Sequence, residues 1–149
     1  MPRRYVAVCG ASEATPSQLE AAREVGRLLA RSGAVIINGG FGGVMAAASE
    51  GASSEGGTVV GILPDTDRGG ANPHLTLALA TGLGQARNAV IVTAADSVIA
   101  IGAGWGTLSE IALAQRLDRP VFALDTWKLE GMETVDSPAE AVKRALEED

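Results

Sequence analysis

The chain has 149 residues, 46% hydrophobic and 20% charged, with a formal net charge of −6. That balance describes one globular domain over residues 1–149, long enough to bury a core, and excludes a disordered chain. The acidic charge, with no Lys/Arg cluster among aromatics and only Arg3 and Arg4 as a basic start, excludes broad nucleic-acid binding.

In chain order, strands and helices alternate. Tyr5–Cys9 is a continuous apolar run ending at Gly10-Ala11-Ser12, the pattern of a strand buried on both faces. Thr15-Pro16-Ser17-Gln18 supplies a helix N-cap, a proline at the first helical position and a capping-box glutamine. Leu19, Ala22, Gly26 and Leu29 recur at helical spacing, with Glu20, Arg23, Arg27 and Arg31 turned outward, and Gly33 stops the helix. A second strand, Ala34–Ile37, meets the turn Asn38-Gly-Gly-Phe-Gly-Gly-Val-Met45, and a small-residue helix follows over Val44–Glu55. After Gly56-Gly57 comes a third strand, Thr58–Leu63, then a long loop, Pro64–Pro73. A helix over Gln85–Thr93 precedes a fourth strand, Val98–Ile101. The turn Gly102-Ala-Gly-Trp-Gly-Thr-Leu-Ser-Glu110 opens a helix over Thr107–Leu117. Val121–Leu124 is a fifth strand, and Ser137-Pro138 starts a last helix running to Leu146. The pattern predicts a doubly wound, mostly parallel α/β sheet with helices on both faces, a Rossmann-like fold. Ligands of such sheets sit beyond the carboxyl ends of the strands, where strand order reverses. Gly10, Gly39–Gly43 and Gly102–Gly106 all fall at that edge.

Each glycine turn joins a β-branched strand to a helix start, where backbone N–H groups lie unpaired beside the positive end of the helix dipole. Two such turns in one small chain point to a shared phosphate site. The Walker pattern is absent, and no lysine precedes Lys128. The dinucleotide fingerprint is incomplete, because Ser109 stands where its third glycine belongs. Lys128 and Lys143 lie away from the glycine turns, which argues against a Schiff-base lysine and against lysine decarboxylation. The sole cysteine, Cys9, excludes an internal disulfide framework and a multi-cysteine metal site, and no metal is expected. Tyr5–Cys9 is too short for a signal peptide's apolar region, and no run nears the roughly 20 apolar residues that span a bilayer. A cytoplasmic protein without a membrane partner is expected.

The segments G-G-F-G-G-V-M-A-A-A-S-E-G-A, G-G-T-V-V-G-I-L-P, A-R-N and G-A-G-W-G-T-L-S-E resemble the LOG-like (SLOG) superfamily. It holds the LONELY GUY phosphoribohydrolases, long labelled lysine decarboxylases, and the molybdenum-cofactor carrier proteins. The resemblance runs from Val6 to Leu124. The phosphoribohydrolases carry P-G-G-x-G-T-x-x-E and an Arg-Lys pair; here Gly102-Ala103 and Arg87-Asn88 stand in those places. With the Thr81–Gly84 lead-in, the chain resembles the carrier branch more closely. Molybdenum cofactor as cargo, and a homodimer or homotetramer, are what that branch implies. Arg87 and Glu110 match the hydrolases' catalytic pair, and that reaction requires no cofactor.

Two functions from different classes follow. A carrier would hold a phosphorylated nucleotide- or pterin-type small molecule at Gly10, Ser12, Gly39, Gly40, Gly42, Gly43, Met45, Asn88, Gly104, Gly106 and Thr107. A hydrolase would cleave the N-glycosidic bond of a nucleoside 5′-monophosphate, with Glu110 stabilising the ribosyl cation and Arg87 holding phosphate or base. Plainer readings stand beside these. Thr107-x-x-Glu110 is also a capping box, and Arg87 is also a surface ion-pair partner. Gly42, Gly43 and Gly51 also suit helix–sheet packing. Cys9 reads as a small buried hydrophobe and His74 as a structural or solvated loop residue. Asp65 and Asp67 read as solvated. Trp105 suits stacking on a flat ring or packing at a subunit contact. The small residues Ala46–Ala52 and the helix face Ile111–Leu117 suit packing between subunits. Gly69 and Gly70 give the Pro64–Pro73 loop the freedom to close over the site.

Overall fold

The computed structural model describes residues 3–147. The elements are β1 (Tyr5–Gly10), α1 (Pro16–Arg31), β2 (Val35–Asn38), α2 (Val44–Ser54), β3 (Thr58–Leu63) and β4 (Leu77–Ala80). They continue with a 3-10 turn (Gly84–Ala86), α3 (Arg87–Ala94), β5 (Ser97–Ile101), α4 (Trp105–Arg116), β6 (Val121–Leu124), β7 (Glu133–Thr134) and α5 (Pro138–Ala145). All seven strands run parallel in one sheet of order β4-β3-β2-β1-β5-β6-β7.

The central strands alternate their side chains between two cores, as the pleat requires. From β1, Val6 and Val8 join Ile99 and Ile101 of β5 beneath α1, α2 and α5, while Ala7 and Cys9 join Val98 and Ala100 beneath α3 and α4. Covering both faces explains why these strands read as unbroken apolar runs. The chain winds outward from β1 through β2 and β3 to β4, then returns to β5 on the other side of β1. The reversal at β1 puts three turns side by side: the ends of β1, β2 and β5.

Local signals set the helices. Thr15 caps α1 by accepting from the Gln18 backbone N–H, and the Gln18 side chain accepts from the Thr15 N–H in return. The small residues of α2 serve contacts within the chain. Gly26 and Gly51 bring α1 and α2 into backbone contact, where a Cβ on either glycine would lie 2.0 Å from a carbonyl of the other helix. Ala48 and Ala52 are fully buried there. Of the α2 alanines assigned from sequence to a subunit contact, Ala47, Ala48 and Ala52 are therefore core residues and Ala46 is half-buried, and Gly51 packs helix on helix rather than helix on sheet.

Two strands lay outside the sequence reading. β4 closes one edge with Leu77 and Leu79 exposed, so it carries no burial alternation and is built from helix-favouring residues. β7 is a two-residue polar edge. α4 begins at Trp105, two residues earlier than expected. Residues 3–147 contain no helix long and apolar enough to cross a membrane.

Candidate functional site

A cleft of about 480 Å³ opens at the sheet's carboxyl edge, at the strand-order reversal. Gly10, Ser12 and Glu13 from the β1–α1 connection line its middle. Gly39, Phe41 and Met45 line one flank and Gly104, Trp105, Gly106 and Thr107 the other, with Arg87, Asn88 and Glu110 reaching in from α3 and α4.

The first glycine turn is shaped by Asn38, which is fully buried at the end of β2. Its Oδ1 accepts from the Gly40 N–H at 2.8 Å, and its Nδ2 donates to Ser49 Oγ at 3.0 Å in α2. At Gly43 the backbone has φ +65°, and a Cβ would lie 2.3 Å from the Ala11 carbonyl. The first amide of α2, Val44 N–H, already donates to that carbonyl. Gly43 and the first amide of α2 are therefore taken up by the β1–α1 loop. A Cβ at Gly40 would strike Leu63, and Gly42 faces open space; neither lines the cleft, and nor does Gly43.

The second turn differs. Gly104 is the N-cap of α4 and no side chain caps the helix. The first intrahelical bond runs from Leu108 N–H to the Gly104 carbonyl, so the amides of Trp105, Gly106 and Thr107 lie ahead of the helical ladder. Thr107 is only 2% exposed, and its Oγ1 has no hydrogen-bond partner among the described residues. The capping-box reading of Thr107 and Glu110 fails here, because the helix starts at Trp105 and Thr107 already lies within it. The loop after β6 holds this turn in place. Gly102 N–H donates to the Asp125 carbonyl at 2.9 Å, Thr126 Oγ1 donates to the Gly102 carbonyl at 2.5 Å, and Trp127 Nε1 donates to the Gly104 carbonyl at 3.1 Å.

Arg87 is 7% exposed, so it is no surface ion-pair partner. Its Nη1 donates to the carbonyls of Gly39 and Ile62, at the ends of β2 and β3, and its Cζ lies 5.3 Å from the Phe41 ring centroid. Burial lowers its pKa, while the charges of Glu110 and Asp65 oppose that shift. Its Nε is buried without a hydrogen-bond partner among the described residues. Asn88 donates to Ser109 Oγ at 2.9 Å, tying α3 to α4; the serine at the failed dinucleotide position thus has a structural use. Glu110 is 8% exposed, and burial raises its pKa to about 8 despite the opposing charge of Arg87. A carboxyl in that state is mostly neutral at pH 7.

The plainer residues behave as such. Cys9 is buried, and burial, then Glu110, push its thiol pKa well up, which leaves it an inert core residue. His74 packs near Glu50, with Nε2 3.7 Å from its carboxylate, away from the cleft lining. Asp65 and Asp67 line a separate depression, and Asp67 accepts from the Gly69 N–H within its own loop. That loop is tied to the first glycine turn: Asn72 N–H donates to the Gly40 carbonyl at 2.8 Å and Asn72 Nδ2 to the Phe41 carbonyl at 3.0 Å. Phe41, Gln85, Glu13, Ala103 and the Asp125–Trp127 buttress were missed from sequence. Phe41 and Ala103 sit inside the two glycine turns, where the glycines drew the attention, while Glu13, Gln85 and Asp125–Trp127 lie outside any local glycine motif and only the fold brings them to the site.

The comparisons agree with this fold. A protein of Archaeoglobus fulgidus is 43% identical over 98% of this chain and 97% of its own length. The solved molybdenum cofactor binding protein of the phototrophic bacterium Rippkaea orientalis superposes with a TM-score of 0.92 at 36% identity, covering 97% of this chain and 96% of its own. A probable cytokinin riboside 5′-monophosphate phosphoribohydrolase of rice, Oryza sativa, is 32% identical over 73% of this chain, which spans 50% of the rice protein. The model of the SLOG cluster4 family matches residues 3–148. The chain therefore belongs to the SLOG cluster4 family, within the LOG-like (SLOG) superfamily.

Proposed function

We propose that the protein binds and carries a phosphorylated small molecule of the pterin or nucleotide class in the cleft, without hydrolysing it. The carrying observation is the buried, unpartnered Thr107 hydroxyl at the uncapped N-terminus of α4. A buried polar group left unpaired costs about 1–3 kcal/mol, which a ligand oxygen would offset. The free amides of Trp105, Gly106 and Thr107 and the α4 dipole favour that oxygen being anionic. The Arg87 cation adds attraction from the other side of the cleft. Molybdenum cofactor as cargo fits this donor set, which is rich in hydrogen-bond donors and open enough for a phosphorylated ring. The Rippkaea protein's description as a molybdenum cofactor binder supports the same reading.

The protonation of Glu110 fits carriage better than it fits stabilisation of a ribosyl cation. A ribosyl cation is stabilised by a carboxylate, whereas burial holds this carboxyl mostly protonated near neutrality. Neutral Glu110 also repels a phosphate less. The hydrolase reading keeps one specific support: Arg87 and Glu110, the pair matched to the phosphoribohydrolases, line the same cleft.

Thermal unfolding with AMP, other nucleotides and molybdopterin-type compounds tests both readings. A ligand at 100 times its Kd stabilises by about 2.7 kcal/mol, which moves the Tm by roughly 5–10 °C for a chain of this size. The expected result is such a shift with the ligand recovered intact. Free base and ribose 5-phosphate released at catalytic protein concentration would overturn carriage.

A further inference from the structure

We infer that Trp105 is a stacking platform for the ring of the ligand, so that the cleft selects phosphorylated molecules bearing a planar, fused heteroaromatic ring. The inference rests on the proposed phosphate site and adds the chemistry of its other half. Trp105 is the first helical residue of α4, directly after Gly104, so its ring stands beside the amides assigned to phosphate. It is 79% exposed, the most exposed of the large hydrophobic side chains among the described residues, yet it lines the cleft. An indole left in water beside a polar pocket is unfavourable unless a partner covers its face.

A second indole packs against the ring. Trp127 lies 5.6 Å away, centroid to centroid, at an interplanar angle of 37°. Trp127 is itself fixed by packing on the core and by its bond to the Gly104 carbonyl. The same bond positions the glycine that opens α4, so platform and phosphate amides are set by one contact. Phe41 and Met45 line the flank across the end of β1, giving the ring an apolar wall opposite Trp105. Trp127 is thus a positioning residue and Trp105 the contact.

The chain has two tryptophans, Trp105 lining the cleft and Trp127 packed against it, so their fluorescence reports the site. The probes are ribose 5-phosphate, which lacks a ring, AMP, and 6-hydroxymethylpterin phosphate. Wild type is expected to bind at least one ring-bearing probe with quenching, and more tightly than ribose 5-phosphate. Trp105→Ala should weaken that probe at least about fivefold, the scale of one base–aromatic stack, and leave ribose 5-phosphate affinity unchanged. Trp105→Phe should recover most of the loss, and an unchanged Tm of the free variants shows that the fold is intact. Equal affinity of wild type and Trp105→Ala for ring-bearing probes would overturn the platform while the phosphate site stands. A change in sedimentation of Trp105→Ala without a change in affinity would also overturn it, in favour of a subunit contact. Failure of wild type to bind all three would overturn both.

Discussion

Replacing Glu110 by Gln is expected to stabilise the protein at neutral pH and to remove a slope from its pH–stability curve. Glu110 has a folded-state pKa of about 8, raised by burial above the ordinary carboxyl value of 4.5. Between those values the folded chain holds a proton that the unfolded chain has lost. Stability from this group is therefore fully present below about pH 4.5, falls as pH rises, and levels off above about pH 8. The slope is at most about 1.4 kcal/mol per pH unit. From pH 5.5 to 7.5 that amounts to about 2.7 kcal/mol, or roughly 5–10 °C in Tm. Glutamine keeps the shape and has no proton to lose. Thermal unfolding of both proteins across that window should show wild type losing Tm relative to Glu110→Gln. Parallel curves would mean that Glu110 is ionised when folded, and would return the hydrolase reading to the front. The same linkage reaches the ligand. A phosphate bound near Glu110 favours its neutral form, so ligand affinity in wild type should fall as pH passes 8, more steeply than in Glu110→Gln.

What the sequence disclosed followed from local rules. Tyr5–Cys9 and Val98–Ile101 are apolar at every position because both faces of a central parallel strand are covered, and that leaves a mark a reader can see. Thr15, Pro16 and Gln18 announce α1 because capping is chemistry within one turn. The two glycine turns flag the right edge of the sheet. β4 was hidden because Leu77 and Leu79 face outward at an edge, so neither burial nor propensity marks them as strand. The α4 start was misplaced because Thr107 and Glu110 imitate a capping box, while the actual cap is a glycine with no side chain. Arg87 could not be told from a surface arginine, since its burial depends on carbonyls 48 and 25 residues away in sequence. The Asp125–Trp127 buttress was invisible for the same reason: it exists only once β6 lies beside β5.

Two glycine substitutions with opposite expected outcomes distinguish fold-making from ligand-approach glycines, a distinction composition does not reveal. At Gly51, alanine gains up to about 1 kcal/mol in helix propensity. Its Cβ would also lie 2.0 Å from the Arg23 carbonyl, a backbone atom that moves only if α1 and α2 part. Overpacking of a tight core costs typically about 1–3 kcal/mol and sometimes more, so the clash wins. Gly51→Ala should lower the Tm by several degrees, although alanine is the better helix former. At Gly106, in the first turn of α4, a Cβ would meet nothing within 4 Å. Gly106→Ala should hold or raise the Tm through helix propensity alone. In the proposed site, that open space is where the phosphate comes up to the backbone amides. The same variant should therefore bind the wild-type ligand at least about tenfold more weakly, the loss of roughly one charge-assisted hydrogen bond. Calorimetry for the fold and titration for the ligand read the two effects separately. A Gly106→Ala protein that is stable and binds normally would place the phosphate elsewhere than the N-terminus of α4. One that is destabilised like Gly51→Ala would make Gly106 a packing glycine after all.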